Sequence, residues 1–213
     1  MKYVKDVYKK GKLNKFNKVV LVTKSPRRIE LMQNICKFTL KSSEIDERKI
    51  ERESLEEYKN LDDFHKFALT CANITKAKLS NIDIAEDTLY ISSDTIVIND
   101  GKILGKSTDY EDAYNMLNSY LGKIHQVITA VCLMEKDYIE LFYTYSNVAF
   151  SNKSNRNITI IKDYINTKKV YDKAGAYGIQ EINPSLIRYI EGDINTIIGF
   201  PVNEISTRIE EFL

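Results

Sequence analysis

The 213-residue chain has few of the residues that mark secreted or membrane proteins. Its three cysteines, Cys36, Cys71 and Cys132, are odd in number, far apart and set in apolar-periodic segments. This pattern favours reduced core thiols over a disulfide framework. No apolar run approaches the roughly 18 residues needed to cross a bilayer, and the N-terminus lacks the apolar core of a signal peptide. We therefore expect a cytoplasmic protein with no membrane partner.

Proline and glycine are also scarce, and the three prolines and eight glycines fall at predicted element boundaries. No repeat or flexible linker is visible, so we expect one domain over residues 18–213. Residues 1–18 hold seven lysines and one aspartate. We expect residues 1–17 to form a basic N-terminal arm, either solvated or a short helix. Nucleic acid or membrane contact is the alternative, but aromatic interleaving is thin and nucleic acid is not expected as a partner.

Several catalytic signatures are missing altogether. There is no phosphate-binding Gly-x-x-x-x-Gly-Lys-Ser/Thr, no Gly-x-Gly-x-x-Gly, no paired Cys-x-x-Cys and no His-Glu-x-x-His. His65 and His125 are isolated from each other, which favours structural roles, and no histidine is placed to activate Ser25. Arginines, lysines and carboxylates remain, a set that suits phosphate chemistry with a divalent ion and water as nucleophile.

Strand and helix patterns mix without strict alternation, which predicts an α/β fold with a mixed twisted sheet and flanking helices. Thr108-x-x-Glu111 reads as a capping box that starts a helix. Asn99-Asp100-Gly101 reads as a tight hairpin turn between residues 89–98 and 102–104. The other predicted strands are residues 19–22, 38–41, 127–134, 139–150 and 186–190, and the other predicted helices begin at Pro26 or cover residues 54–80, 157–165 and 201–212.

The first predicted helix begins with an unusual pair of arginines. Ser25 reads as its N-cap and Pro26 as its first residue, so Arg27 and Arg28 fall in the first turn. That end carries unpaired N–H groups and the positive pole of the helix dipole, which disfavours each arginine by about 0.3–1 kcal/mol. An anion is therefore expected there.

Three further features are candidates for chemistry. Asp94 interrupts an apolar and hydroxylic strand, where a carboxylate needs a cation or several hydrogen bonds. Lys76 lies near a helix end, where a dipole-stabilising role is an equal alternative to a functional one. Lys106 follows a glycine at a strand end, as a phosphate-contacting lysine often does, but Gly-Lys is also a common turn. The glycine-containing segment Asp172–Gln180 would allow close approach of a ligand, although a tight structural turn needs the same residues.

An ordered series of motifs resembles the Maf family. The series is Thr23-Lys-Ser-Pro-Arg-Arg, Glu44-Ile-Asp-Glu, Lys76-Ala, Ser93-Asp-Thr-Ile-Val, Leu104-Gly-Lys, Gly122-Lys-Ile-His, Asp172-Lys-Ala-Gly-Ala-Tyr-Gly-Ile-Gln and Ile190-Glu-Gly-Asp with Gly199-Phe-Pro. The resemblance implies an elongated α/β molecule with a central cleft, related to inosine triphosphate pyrophosphatases. It implies hydrolysis of a nucleoside triphosphate to monophosphate and pyrophosphate, with Asp-Thr and Tyr-Gly-Ile-Gln resembling the branch that takes dTTP and UTP.

The resemblance also implies the site residues. Catalytic roles fall on Asp94, Glu30, Lys76 and Lys106; substrate binding falls on Thr23, Ser25, Arg27, Arg28, Thr95 and Gln180. Asp94 and Glu30 would hold Mg²⁺ or Mn²⁺, with Asp94 as proton acceptor. The alternative function is a nucleotide-binding regulator of division or septum formation with little turnover, and a homodimer is left open. Lys24 and Glu181 depart from the small residues usual in the family, which leaves substrate choice open.

Overall fold

The computed structural model describes residues 3–212 and shows an α/β fold. None of the helices in this range has the length and apolar character that a membrane crossing requires. The strands are β1 Val4–Lys10, β2 Lys18–Val22, β3 Thr39–Lys41, β4 Thr88–Asn99, β5 Lys102–Leu104, β6 Ile124–Glu135, β7 Tyr138–Phe150 and β8 Ile187–Glu191. The helices are α1 Pro26–Met32, α2 Glu47–Glu57, α3 Asp63–Ala77, α4 Tyr110–Ser119, α5 Asn155–Asn166, α6 Ile194–Ile198 and α7 Val202–Ile209.

The predicted mixed sheet is confirmed. Its strand order is β1-β7-β6-β4-β2-β3, with β5 paired to β4 and β8 paired to β7. β2 runs parallel to both β3 and β4, whereas β1 and β8 are antiparallel to β7. Two compact units share the chain: the first comprises residues 3–94, 129–144 and 199–212, and the second comprises residues 95–128 and 145–198.

The β4–β5 hairpin confirms a local sequence signal. Val97 pairs with Leu104 and Asn99 with Lys102, which leaves Asp100 and Gly101 at the turn. Both turn residues have positive φ, 50° and 69°. Asp and Gly tolerate that backbone better than other residues, and it matches the twist of the flanking strands.

Two helix starts differ from the expectation. The single helix expected over residues 54–80 is instead the end of α2, which finishes at Glu57, followed by α3 from Asp63. The side chain of Asp62 accepts a hydrogen bond from the His65 amide and caps the start of α3. The capping box at Thr108 is also wrong. Asp109 is the N-cap of α4 and accepts from the Asp112 amide at 2.9 Å. In both places an aspartate captures the orphan amides of a first turn, a local competition that apolar spacing does not reveal.

The basic N-terminal segment is not the solvated arm or short helix that was expected. Residues 4–10 form β1, which pairs antiparallel with β7 from Val4 opposite Thr144 to Lys10 opposite Ile139. The pairing is non-local, so the composition of the segment gave no sign of it. The lysines of β1 lie on an exposed strand, where charge discourages further edge pairing.

Arg208 of α7 joins β1 to the core of the first unit. Its guanidinium donates to Glu204 at 2.9 Å, to Asp6 of β1 at 2.7 Å and to Glu140 of β7. Glu140 is only 4% exposed in its side chain, and Arg208 also lies 4.0 Å from the ring centroid of Phe142. The buried Glu140 carboxylate is thus compensated by a guanidinium that also contacts two other carboxylates.

We expect Arg208→Met to lower the free energy of unfolding by up to about 3–5 kcal/mol, because it leaves the buried Glu140 with only the exposed Lys9, at 3.2 Å, as its cation. Lys136→Met is the matched control, since Lys136 pairs with Glu86 on the exposed surface and its loss should change little. Urea unfolding monitored by circular dichroism measures both. Equal stabilities for the two variants would contradict a structural role of the Arg208 cluster.

Candidate functional site

The loop after β2 lies beside the strand that carries Asp94. β2 and β4 are parallel, with Val22 opposite Ser92, so the next residues of the two strands are neighbours. The Thr23 hydroxyl accepts a hydrogen bond from the Ser25 amide at 3.0 Å. Ser25 is the N-cap of α1 and Pro26 its first residue, as predicted, but the Ser25 side chain makes no capping hydrogen bond. The loop therefore presents a hydroxyl and a helix start at the carboxyl end of a parallel strand.

Arg28 fixes this loop to two other segments of the first unit. Its Nη1 donates to the Ser93 carbonyl at 2.7 Å and its Nε to the Gly199 carbonyl at 2.9 Å. Burial lowers the pKa of Arg28, and the neighbouring charge of Asp94 opposes that shift. The half-buried Arg27 precedes it in the same helical turn. Much of the hydrogen-bonding capacity of Arg28 is therefore used to hold the loop against the end of β4.

Asp94 has a lysine partner, as its strand position requires. Lys78 Nζ lies 2.5 Å from Asp94 Oδ1 and 3.1 Å from Glu47 Oε1, and the side chains of Asp94 and Lys78 are 16% and 13% exposed. Lys78 also approaches the Ser93 carbonyl at 3.5 Å. The half-buried Lys78 ammonium thus lies between the Asp94 carboxylate of β4 and the carboxylate of Glu47, the first residue of α2.

Lys78 is a residue that the sequence analysis missed. Cys71, Thr75 and Lys78 lie on one face of the α3 segment: Cys71 Sγ contacts the Asp94 carbonyl at 3.5 Å, and the Thr75 carbonyl accepts from Ser92 Oγ at 2.8 Å. Lys76 lies roughly 100–160° around the helix axis from the three residues of that face. It is exposed, and its Nζ lies 5.6 Å from the ring centroid of Tyr8 in β1. Lys78 follows Cys71 by seven residues, about two helical turns, and this spacing places both side chains on the same face.

Carboxylates gather around Lys78 in a way that suits a hard cation. Burial, together with the charges of Asp94 and Glu47, raises the pKa of Glu51. No cage of three His, Cys, Asp or Glu side chains is formed within residues 3–212. Mg²⁺ typically takes one or two carboxylates and completes its shell with water and phosphate oxygens, so Asp94 and Glu47 fit that mode. Glu30 is exposed on α1 and makes no ion pair with this group among the described residues.

In the second unit, Lys106 lies next to the glycine-containing segment. Its backbone forms an isolated bridge with Ala174, and the Gly175 amide donates to the Gly105 carbonyl at 2.9 Å. Lys106 and Gln180 are both exposed. Thr95, also in this unit, is half-buried in β4. Two motifs that are about 70 residues apart in sequence are thus joined through their backbones.

A buried aromatic group packs against the glycine-containing segment of residues 172–180. Its members are Tyr120, His125, Phe150 and Tyr177. His125 Nε2 lies 2.7 Å from the Tyr177 hydroxyl, and its ring stacks on Tyr120 at a 4.1 Å centroid distance. Burial lowers the pKa of His125 to about 3, and its Nδ1 has no hydrogen-bond partner among residues 3–212. The Tyr120 hydroxyl donates to the Gly175 carbonyl at 3.0 Å. The structural role predicted for this histidine agrees with its burial.

Together, the mixed sheet and the group formed by the Thr23–Arg28 loop, Asp94 and Lys78 define an α/β protein with charged and polar groups at the carboxyl end of a parallel strand. Comparison with known proteins identifies its family. The model of the Maf family, described as Maf-like protein, matches residues 18–212. The chain therefore belongs to the Maf family, and the predicted resemblance is confirmed.

Curated relatives cover most of the chain. A dTTP/UTP pyrophosphatase of Thermosipho africanus is 38% identical over 88% of this chain and 90% of that protein. One from Clostridium botulinum strain Alaska E43 is 38% identical over 91% of this chain and 98% of its own length. One from Pyrococcus furiosus is 35% identical over 91% and 94%, respectively. The match begins after β1, so the added edge strand lies outside the family model.

Proposed function

We propose that this chain hydrolyses dTTP and UTP to the corresponding monophosphate and pyrophosphate. The observation that carries the proposal is Asp94, a half-buried carboxylate held by Lys78 beside the Thr23–Arg28 loop. Relatives named dTTP/UTP pyrophosphatase, at 35–38% identity over about nine-tenths of the chain, support the substrate class.

In this proposal the first unit acts on the triphosphate. Thr23 and Ser25 donate hydroxyl hydrogen bonds to phosphate oxygens, Arg27 supplies charge and Arg28 keeps the loop in place. Asp94 accepts a proton from the water that attacks the α-phosphorus, and Lys78 neutralises negative charge that develops in the transition state. Pyrophosphate leaves with the electrons of the broken P–O bond, and the proton stays on Asp94 until solvent removes it.

A divalent cation completes the proposed chemistry. Asp94 and Glu47 would hold it, while Glu30, the ligand expected from the sequence, stays a weaker candidate because it is exposed. Bound Mg²⁺ or Mn²⁺ would neutralise the phosphate oxygens and lower the pKa of the attacking water. Lys78 contacts both carboxylates, so it must yield part of this position when the ion binds.

The family resemblance assigns base recognition and one further cation to Gln180, Thr95 and Lys106. Gln180 would accept from N3–H and donate to O4 of uracil or thymine, a pattern that cytosine reverses. Thr95 is a candidate to fix the orientation of that amide. Lys106 would contact phosphate, and its backbone connection to Ala174 gives it a defined place beside the Gln180 segment.

A nucleotide panel with product analysis tests the function. We expect UMP and pyrophosphate from UTP, loss of activity with EDTA, recovery with Mg²⁺ or Mn²⁺, and dTTP and UTP preferred to CTP by at least about ten-fold. That preference requires only about 1.4 kcal/mol, which one satisfied against one unsatisfied hydrogen bond supplies.

Three other results would count against parts of this proposal. UDP and inorganic phosphate as products would contradict attack at the α-phosphorus. A purine triphosphate or CTP as the best substrate would contradict the base assignment alone. Tight nucleotide binding without turnover by the metal-loaded protein would favour the regulatory alternative.

A further inference from the structure

Gln180 lies in a tight turn whose first and last residues are both contacted by side chains from other parts of the second unit. The Glu181 amide donates to the Gly178 carbonyl at 3.0 Å, and the Ile182 amide donates to the same carbonyl at 2.9 Å. Ile179 and Gln180 are therefore the central residues of a four-residue turn. The position of the Gln180 carboxamide depends on what fixes Gly178 and Glu181.

Lys173 fixes one end. Its ammonium lies 2.9 Å from Glu181 Oε2, 2.7 Å from Asp172 Oδ1 and 2.6 Å from the Lys169 carbonyl, and its side chain is 5% exposed. An ammonium has three donors, so these acceptors account for all of its hydrogen-bonding capacity. Lys173 is therefore committed to the protein and is not positioned to bind phosphate.

Tyr164 of α5 connects both ends of the turn. Its hydroxyl accepts from the Gly178 amide at 3.0 Å and lies 3.4 Å from Glu181 Oε2, to which it can donate. Burial is the first cause that raises the pKa of Tyr164 to about 12, so the hydroxyl keeps its proton at neutral pH. One side chain thus connects the first and last residues of the turn.

Close packing removes the remaining freedom. A Cβ built on Gly178 would lie 2.7 Å from Lys173 Cε and 3.3 Å from Glu181 Oε2. The backbone of Gly178 therefore rests directly on the lysine stem, and a side chain at this position would displace it. The Glu181 carboxylate adds an ion pair with Lys173 to the end of the turn.

We propose that Tyr164, Lys173 and Glu181 are positioning residues that hold the Gln180 turn and so set the discrimination between uracil or thymine and cytosine. This inference rests on the proposed function, since it assigns these residues to the same base-reading group. They act through Gln180 and touch neither phosphate nor the attacked phosphorus, so their loss should affect selectivity more than turnover.

The experiment measures kcat and KM for UTP and CTP with the full-length, metal-loaded protein. Tyr164→Phe removes only a hydroxyl, and Glu181→Ala removes the carboxylate; Glu111→Gln, an exposed carboxylate of α4, is the matched control. Tyr164→Phe and Glu181→Ala should each lower the UTP/CTP ratio of kcat/KM by about three-fold or more, the size of one neutral hydrogen bond. The kcat for UTP should change less than two-fold, and the control should leave the ratio unchanged.

A double-variant cycle with Gln180→Ala decides whether the effect runs through Gln180. We expect Gln180→Ala to lower the ratio and Tyr164→Phe to have no further effect on it in that background. An unchanged ratio in folded Tyr164→Phe and Glu181→Ala, with a lowered ratio in Gln180→Ala, overturns the inference and leaves the proposed function intact. An unchanged ratio in Gln180→Ala overturns both the base assignment and the inference, and absence of turnover in the native protein overturns the proposed function with it.

Discussion

Asp94→Asn should reduce kcat for UTP by about 10²–10⁴. The neutral amide cannot accept the proton of the attacking water, and it lacks the negative charge that would attract a divalent cation. The fold should persist. The Asn carbonyl can still accept from Lys78, and the Cys71 contact involves the Asp94 backbone carbonyl, which the substitution does not alter. Steady-state kinetics measure the loss of turnover, and thermal unfolding of the same variant shows whether the fold persists.

The control for this variant is Asp83→Asn, a carboxylate of the first unit outside the Lys78 group. It should keep the turnover of the native protein. A folded Asp94→Asn protein with near-native kcat at saturating UTP and Mg²⁺ would remove Asp94 from the chemistry. The loop residues would then have to position the water without a protein base.

Lys78→Met should lower kcat by about 10²–10³, the cost typical of removing one preorganised electrostatic stabiliser. It should lower turnover at least about ten-fold more than Lys76→Met does. The reason is geometric: Lys78 contacts Asp94 and Glu47, whereas Lys76 is exposed and lies over the Tyr8 ring. The two variants make the same change two residues apart, so each is the control for the other.

The opposite ranking would be equally informative. A larger loss in Lys76→Met would support the assignment of Lys76 made from the Lys76-Ala motif and would mean that substrate binding rearranges the end of α3. Equal and small losses would leave the neutralisation of the phosphates to Arg27, Lys106 and the divalent ion.

The sequence predicted the elements that depend on local chemistry. The Asp100-Gly101 turn, the Ser25-Pro26 helix start and the need of Asp94 for a cation all follow from the backbone or solvation preferences of one or two residues. The ordered family motifs also identified candidate site residues in segments that are far apart in the sequence. These predictions needed no knowledge of distant contacts.

The remaining features depend on which of several equivalent residues meets a distant partner. Lys76 and Lys78 are chemically identical, and only the face that Cys71 and Thr75 turn toward β4 distinguishes them. β1 could not be recognised from a lysine-rich segment, because it pairs with residues of β7 that lie 129–140 positions away. Glu47 was visible in an acidic motif, but its proximity to Lys78 arises from the packing of α2.

The Arg208 cluster also sets the order in which the first unit can be completed during synthesis. Asp6 and Arg208 are separated by 202 positions, so the salt link between them cannot form until the last helix has left the ribosome. At about 5–20 residues per second, β1 waits roughly 10–40 s for that partner. We expect the exposed lysines of β1 to discourage pairing with strands of neighbouring chains during that interval. The same charge that protects the edge of the finished sheet is thus expected to protect β1 before the Asp6–Arg208 link can form.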